Sequence, residues 1–442
     1  MTDATERQVE QAQSAALRLA NVDAAERDAA LEAIADAVRE NSEAILAANA
    51  EDVAAAEELL AEGEYTQALV DRLKLDEGKL ESIAEMVESV AGQTDPLGET
   101  LAARELDEDL ELYKVAVPIG VVGTIFESRP DALVQIAALA LKSGNAVILK
   151  GGSEASESNR VLYETIVEAT DAMPDGWAQH IEAHAEVDAL LGMDDKVDLL
   201  MPRGSSEFVS YIQDNTQIPV LGHTEGVCHV YVDEAADLEM AEDVAVDAKV
   251  QYPAVCNAVE TLLVDDDVAE QFLPGVVERY REAGVELRGD AATREVVDVD
   301  PATDDDWHAE YGDLELSIKV VEDVYEAVEH VNAFGSKHTE SILTEDADAA
   351  ETFMTGIDAA SVFHNASTRF ADGYRYGLGA EVGISTGKIH ARGPVGLDGL
   401  TTYKYYLEGD GQLVATYAGE DPRPFTHREF DGDWHPGHLA DE

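Results

Sequence analysis

Residues 119–155 read IGVVGTIFESRPDALVQIAALALKSGNAVILKGGSEA. VVGTIF (121–126) is a short apolar run with strand character. Pro130 then stands where a helix can begin, because its missing N–H would have no intrahelical partner there. DALVQIAALALKSG continues the helix, and Gly144 closes it. NAVILK (145–150) follows as a buried strand. Downstream, residues 155–170 are helical, AQHIEA (178–183) is a strand, 184–193 a helix, VDLLM (197–201) a strand, GSSEFVSYIQ (204–213) a helix and VCHVYV (227–232) a strand. After residue 237 the rhythm resumes with a helix, the strand AVETLLV (258–264) and a helix over 267–284. Strands alternating with helices of this length predict α/β architecture with parallel, doubly wound sheets, here in two domains.

Upstream, residues 5–60 read as helices, with Leu31, Ile34 and Val38 at helical spacing, and 65–97 continue the pattern. ELDEDLELYKVAVP (105–118) alternates acidic and apolar residues like one exposed strand. LTTYKYYLEG (400–409) is a further strand, and the last residues, rich in proline and charge, read as a loose tail.

The chain has 442 residues, 93 acidic against 29 basic, for a net charge of -64. Such a surface repels nucleic acid and anionic membranes. Disorder and adaptation to a salt-rich cytosol are the two readings of that charge. Apolar content of 45% and clear periodicity favour the second, as does the scarcity of lysine (11 against 18 arginines). No apolar stretch is long enough to span a membrane, and the N-terminus, MTDATERQVEQAQ, lacks a secretion signal. Two cysteines make no disulfide framework, which suits a reducing cytoplasm.

Cys256 falls in KVQYPAVCNAVETLLV, on a loop ahead of a strand, where it is either a nucleophile or a small core residue. Cys228 in VCHVYV reads as core, with His229 on the opposite face of the strand. LKGGSEAS (149–156) and MPRGSSEF (201–208) each join a strand to a helix through glycine, serine and a cation. Such turns suit a phosphate at a helix N-terminus, although ordinary strand-to-helix turns look the same. The twelve histidines show no metal spacing, so no metal is expected. His427, His435 and His438 lie in the tail.

Residues 119–155, VYEAVEHVNAFGSKHTESILTED (324–346) and RFADGYRYGLGAEVGISTGKIHARGPVGLDGLTTYKYYLEG (369–409) closely resemble the gamma-glutamyl phosphate reductase family. The resemblance runs over roughly 5–418. It implies an aldehyde dehydrogenase-like fold: two Rossmann-like α/β domains and a small β oligomerisation flap. The implied division is a cofactor domain over 1–104 and 119–232, a catalytic domain over 233–368, a flap over 105–118 and 395–418, a return segment over 369–394 and a loose tail over 419–442. The implied reaction is reduction of L-glutamyl 5-phosphate to L-glutamate 5-semialdehyde by NADP(H), a step of proline biosynthesis. Cys256 matches the family nucleophile. Lys150, Ser153 and Glu154 match the ribose side of the cofactor, Gly204 and Ser205 with Arg203 its pyrophosphate, and Glu381 its nicotinamide ribose. Ser128 and Asn257 are candidate oxyanion donors beside the Cys256 N–H. Arg129 and Arg369 are candidate contacts for the substrate anions, or else structural ion pairs. His338, in GSKHTES, has no assigned role. One departure bears on the chemistry: the glutamate that activates water in oxidising aldehyde dehydrogenases is replaced by Gly222. A homo-oligomer and a glutamate 5-kinase partner are also implied. The alternatives are another acyl-phosphate reductase or a hydrolytic aldehyde dehydrogenase.

Overall fold

The computed structural model describes residues 2–182, 185–223 and 225–435, and forms two parallel sheets and one antiparallel flap. The flap strands β1 (Thr100–Asp107) and β2 (Leu110–Pro118) come first in the chain. The first parallel sheet holds β3 (Val121–Phe126), β4 (Ala146–Gly151), β5 (Ala178–His180) and β6 (Leu199–Arg203), in the order β5-β4-β3-β6. Helix Pro130–Lys142 joins β3 to β4 and starts on Pro130, as the sequence predicts. Gly144 follows it at φ +70°, a left-handed turn that a side chain would strain. One face of this sheet shares a core with helices Ala24–Glu40 and Glu77–Ala91, through Leu31, Ile34, Val38, Val87, Leu133 and Leu149. The N-terminal helices therefore belong to this domain.

The second sheet holds β7 (Cys228–Val232), β8 (Val259–Asp265), β9 (Glu286–Gly289), β10 (Asp300–Pro301), β11 (Glu315–Val321), β12 (Thr339–Leu343) and β13 (Ser361–His364), in the order β10-β9-β11-β8-β7-β12-β13. All its pairings are parallel. Strands β8, β7 and β12 are neighbours, so the loops just ahead of them lie side by side. A short hairpin, β14 (Gly383–Ser385) and β15 (Gly393–Val395), precedes β16 (Thr401–Gly409) and β17 (Arg428–Glu429). No helix among the described residues is long and apolar enough to cross a membrane.

Three expectations are corrected. The cofactor domain does not reach residue 232, because β7, expected in it, pairs with β8 and β12 in the second sheet. ELDEDLELYKVAVP is not one strand but the end of β1, a tight turn and all of β2, and the flap starts at Thr100 rather than at 105. Asp109 takes a left-handed φ of 56°, and Asp107 accepts the N–H of Glu108, which together turn the chain. The tail is not loose over its described part. β17 pairs with β1, the Trp434 ring stacks on Tyr406 at 3.9 Å, and Phe430 meets Tyr113 edge to face. Residues 436–442, with His438, lie outside the described residues.

Candidate active site

A cleft of about 990 Å³ runs between the two sheets. The first domain supplies the carboxyl ends of its strands: Glu127, Ser128 and Arg129 after β3, Glu154 after β4, Arg203 at the end of β6, and Gly204 and Ser205 after it. This is where ligands of open parallel sheets bind. The second domain supplies the loop ahead of β8, with Cys256 and Asn257, and the chain beyond β13, with Arg369 and Glu381.

Cys256 is partly exposed and faces the cleft. Its loop is held from behind. Cys228, fully buried, donates its thiol to the Cys256 carbonyl at 3.2 Å, and burial pushes that thiol's pKa well up, so Cys228 stays a neutral thiol. Gly226 lies so close that a Cβ there would stand 2.1 Å from the Cys256 carbonyl oxygen. Among the described residues no acceptor takes the Cys256 N–H, which leaves it available to an oxyanion.

The other expected oxyanion donors are engaged. Ser128 sits at φ +54°, with its N–H and its hydroxyl both given to Glu154 Oε1, the hydroxyl at 3.1 Å. Glu154 thus holds the Ser128 turn from a position on the cleft wall. The Asn257 amide donates to the carbonyl of Ala371 at 2.8 Å, and its oxygen accepts from Arg369. Arg369, buried, also reaches Gln251 at 3.0 Å. Among the described residues neither Arg129 nor Arg369 has a carboxylate in ion-pair range, so the structural ion-pair reading of both falls away.

Five arginines line the cleft (Arg72, Arg129, Arg203, Arg369 and Arg375), as do five carboxylates. Four of the carboxylates are engaged. Glu154 is turned to Ser128, Glu381 accepts the Gly373 N–H at 2.8 Å, Asp372 pairs with Arg375, and Glu127 accepts the Ser205 N–H at 3.3 Å. Burial and then the neighbouring Arg129 push the Arg203 pKa down, while burial raises that of Glu381 against the pull of Arg203.

The residues expected to hold a dinucleotide fit in part. The Glu127 carboxylate already lies at the N-terminus of helix Ser206–Asn215, an anion where a pyrophosphate is expected. Nη1 of Arg203 is buried with no partner, which leaves a donor for an anion. Lys150 and Ser153 stand apart. The Lys150 ammonium is buried and donates to the carbonyl of Gly151, while Ser153 is exposed, and neither lines the cleft.

Sequence reading missed His223 at the sulfur and left His338 there without a role. One ring nitrogen each of His223 and His338 and the Cys256 sulfur lie within 4.8 Å of one another. The two rings meet edge to face, 5.1 Å between centroids. They come from distant stretches that share no spacing motif, and adjacency of the loops before β7, β8 and β12 brings them together. Gly222, next to His223, lines the cleft with no side chain to hold a water.

A cysteine between two α/β domains, with a glycine–serine turn facing it, defines a class. The chain belongs to the aldehyde dehydrogenase family, whose profile matches residues 1–306. That family works with nicotinamide cofactors. Within it, the chain belongs to the gamma-glutamyl phosphate reductases. It is 72% identical over 438 residues to that enzyme of Natronomonas pharaonis, covering 99% of this chain and 100% of the relative. With the enzyme of Haloquadratum walsbyi the identity is 68%, covering 97% and 96%. The crystal structure of gamma-glutamyl phosphate reductase from Thermotoga maritima superposes with a TM-score of 0.89 at 42% identity, covering 92% of this chain and 99% of that one.

Proposed function

We propose that the chain reduces L-glutamyl 5-phosphate to L-glutamate 5-semialdehyde and inorganic phosphate with NADPH, through a thioester on Cys256. The observation that carries this reading is a cysteine open to a cleft lined by Arg129, Arg203 and Arg369 in a chain of net charge -64. Arginines kept unpaired in so acidic a protein suit an acyl phosphate that also carries a carboxylate.

The first step needs the thiolate. Nδ1 of His223 faces the Ile384 carbonyl at 2.9 Å, which can only accept, so that nitrogen carries a proton. Nε2 of the neutral ring is then free to take the thiol proton. The Cys256 sulfur attacks the acyl carbon, the bond to the phosphate oxygen breaks, and phosphate leaves with that electron pair. The Cys256 N–H stabilises the oxyanion, a contact typically worth ~3–4 kcal/mol. A nicotinamide dinucleotide, when bound, would supply the hydride that reduces the thioester. The carbon–sulfur bond then breaks, releasing the aldehyde and restoring the thiolate. Gly222 carries no carboxylate at the position where oxidising aldehyde dehydrogenases activate water, which disfavours hydrolysis of the thioester. Gly204, Ser205, Arg203 and Glu381 would hold the dinucleotide.

Self-association through the flap belongs to the same reading. β16 is an edge strand and exposes Tyr403, Tyr405 and Leu407.

The test is the reverse reaction: NADP reduction by glutamate semialdehyde in the presence of phosphate, in concentrated KCl. Cys256→Ala should lower the rate on the order of 10³-fold or more. Retained activity in that variant, or a rate indifferent to phosphate, would overturn the reading.

A further inference from the structure

We propose that His223, Cys256 and His338 form a binding site for a thiophilic divalent cation of the zinc class, and that its occupation reversibly blocks the nucleophile. The donors are right in kind: two imidazoles and a thiol within 4.8 Å of one another. Zinc bonds of ~2.0–2.3 Å place the ligand atoms of a tetrahedral ion roughly 3.3–3.8 Å apart, so side-chain shifts of about 1 Å close the site.

The rings are also oriented as metal ligands are. His223 gives its Nδ1–H to the Ile384 carbonyl, and His338 Nδ1 meets Thr339 Oγ1 at 2.8 Å. The Ile384 carbonyl can only accept, so it fixes the His223 tautomer and leaves Nε2 as the ligand nitrogen, while the Thr339 hydroxyl, with the Cys228 sulfur 3.8 Å away, engages His338 Nδ1 and leaves its Nε2 for a metal. Independently, Nε2 of His338 is buried with no hydrogen-bond partner, in a residue only 1% exposed. A buried polar atom left unmade is costly, and a ligand there would relieve it.

Three protein ligands leave a fourth position toward the cleft for water or a small anion. The nitrogen and sulfur donors select zinc-like ions over the hard cations that surface carboxylates hold. Binding is proton exchange without redox change: the sulfur–metal bond forms as the thiol proton leaves to solvent. The sulfur lone pair is then committed, and acylation stops. Only this inhibition rests on the proposed function; the binding does not.

The experiment uses the full chain, stripped with EDTA, in concentrated KCl with excess Mg²⁺ to fill surface carboxylates. Co²⁺ titration should give a near-ultraviolet sulfur-to-cobalt charge-transfer band that saturates near ~1 equivalent and is bleached by Zn²⁺. Cys256→Ser should lose the band. His338→Gln and, at the more exposed ring, His223→Gln should each weaken Co²⁺ binding about tenfold or more. Zn²⁺ should slow iodoacetamide alkylation of Cys256, with EDTA restoring it, and less so in the histidine variants. A band that survives Cys256→Ser, or wild-type affinity in both histidine variants, would overturn the site. A normal band with Zn²⁺-indifferent turnover would overturn the block. If the band forms in a chain without reductase activity, the proposed function fails and the site stands.

Discussion

At the scale of single residues, the position of one sulfur is set by backbone crowding. A Cβ on Gly226 would meet the Cys256 carbonyl oxygen at 2.1 Å and its Cα at 2.5 Å, and neither is a flexible side-chain end. The nucleophile's loop must therefore move if anything larger than glycine stands there. Gly226→Ala should lower turnover by about 10²-fold or more, the usual consequence of a reacting atom displaced by about 1 Å. Circular dichroism should stay native, because β7 begins two residues later and its pairing is untouched. Steady-state rates beside a thermal melt check this, and full activity would show that the loop yields freely. The same residues show what a sequence can carry. Cys256 stands out because its whole neighbourhood matches a family. His223 does not, and His338 is noticed without a role, since only the order of parallel strands makes them neighbours of the sulfur. The Glu154 carboxylate turns to Ser128, a direction that sequence does not record.

At the scale of elements, β7 and β12 are joined by a buried acid–imidazole pair as well as by their ladder. Glu340 and His229 are fully buried, with Glu340 Oε2 taking the His229 N–H at 2.7 Å and facing its Nδ1 at 3.0 Å. Burial raises the Glu340 pKa well above its ordinary 4.5 and lowers that of His229 to about 3. The pair is neutral in the folded chain. An unfolded glutamate ionises near 4.5, so above that pH folding must return a proton to Glu340. Its contribution to stability is thus present in acid and is lost as pH rises. Glu340→Gln removes that cost. It should stabilise the protein by roughly 1–3 kcal/mol at pH 8, with a gain that shrinks as pH falls toward 4.5. Melting both proteins across that range at fixed KCl tests the sign, and a gain growing toward acid would refute it. Alternation of strand and helix made both parallel sheets legible, because period and length are local. The flap was legible only in part: β16 was read as a strand, but the hairpin turn at Asp109 and the stacking of Trp434 on Tyr406 depend on partners elsewhere in the chain.

For the whole molecule, charge density decides the conditions under which any of this folds. The 64 net negative charges over 20832 Å² of accessible surface amount to roughly one per 330 Å², or one every ~18 Å, against a screening length of ~30 Å at 0.01 M salt and ~3 Å at 1 M. Neighbouring net charges therefore repel in dilute buffer and are isolated in concentrated salt. Exposed ion pairs such as Arg39 with Glu81 and Glu88 weaken under that screening, but 29 cations cannot offset 93 anions, so relief of repulsion dominates. The buried pair of Lys249 and Glu260 is shielded from salt and does not change the sign. The melting temperature should rise steeply as KCl goes from 0.01 to 1 M, because over that span the screening length drops below the charge spacing. Above 1 M the rise should flatten if screening is the whole cause, and continue if salt also strengthens apolar burial. Repeating the series with KCl and with sulfate separates the two, since sulfate strengthens burial more than chloride at equal ionic strength. A melting temperature indifferent to salt below 1 M would mean that the acidic surface does not limit folding.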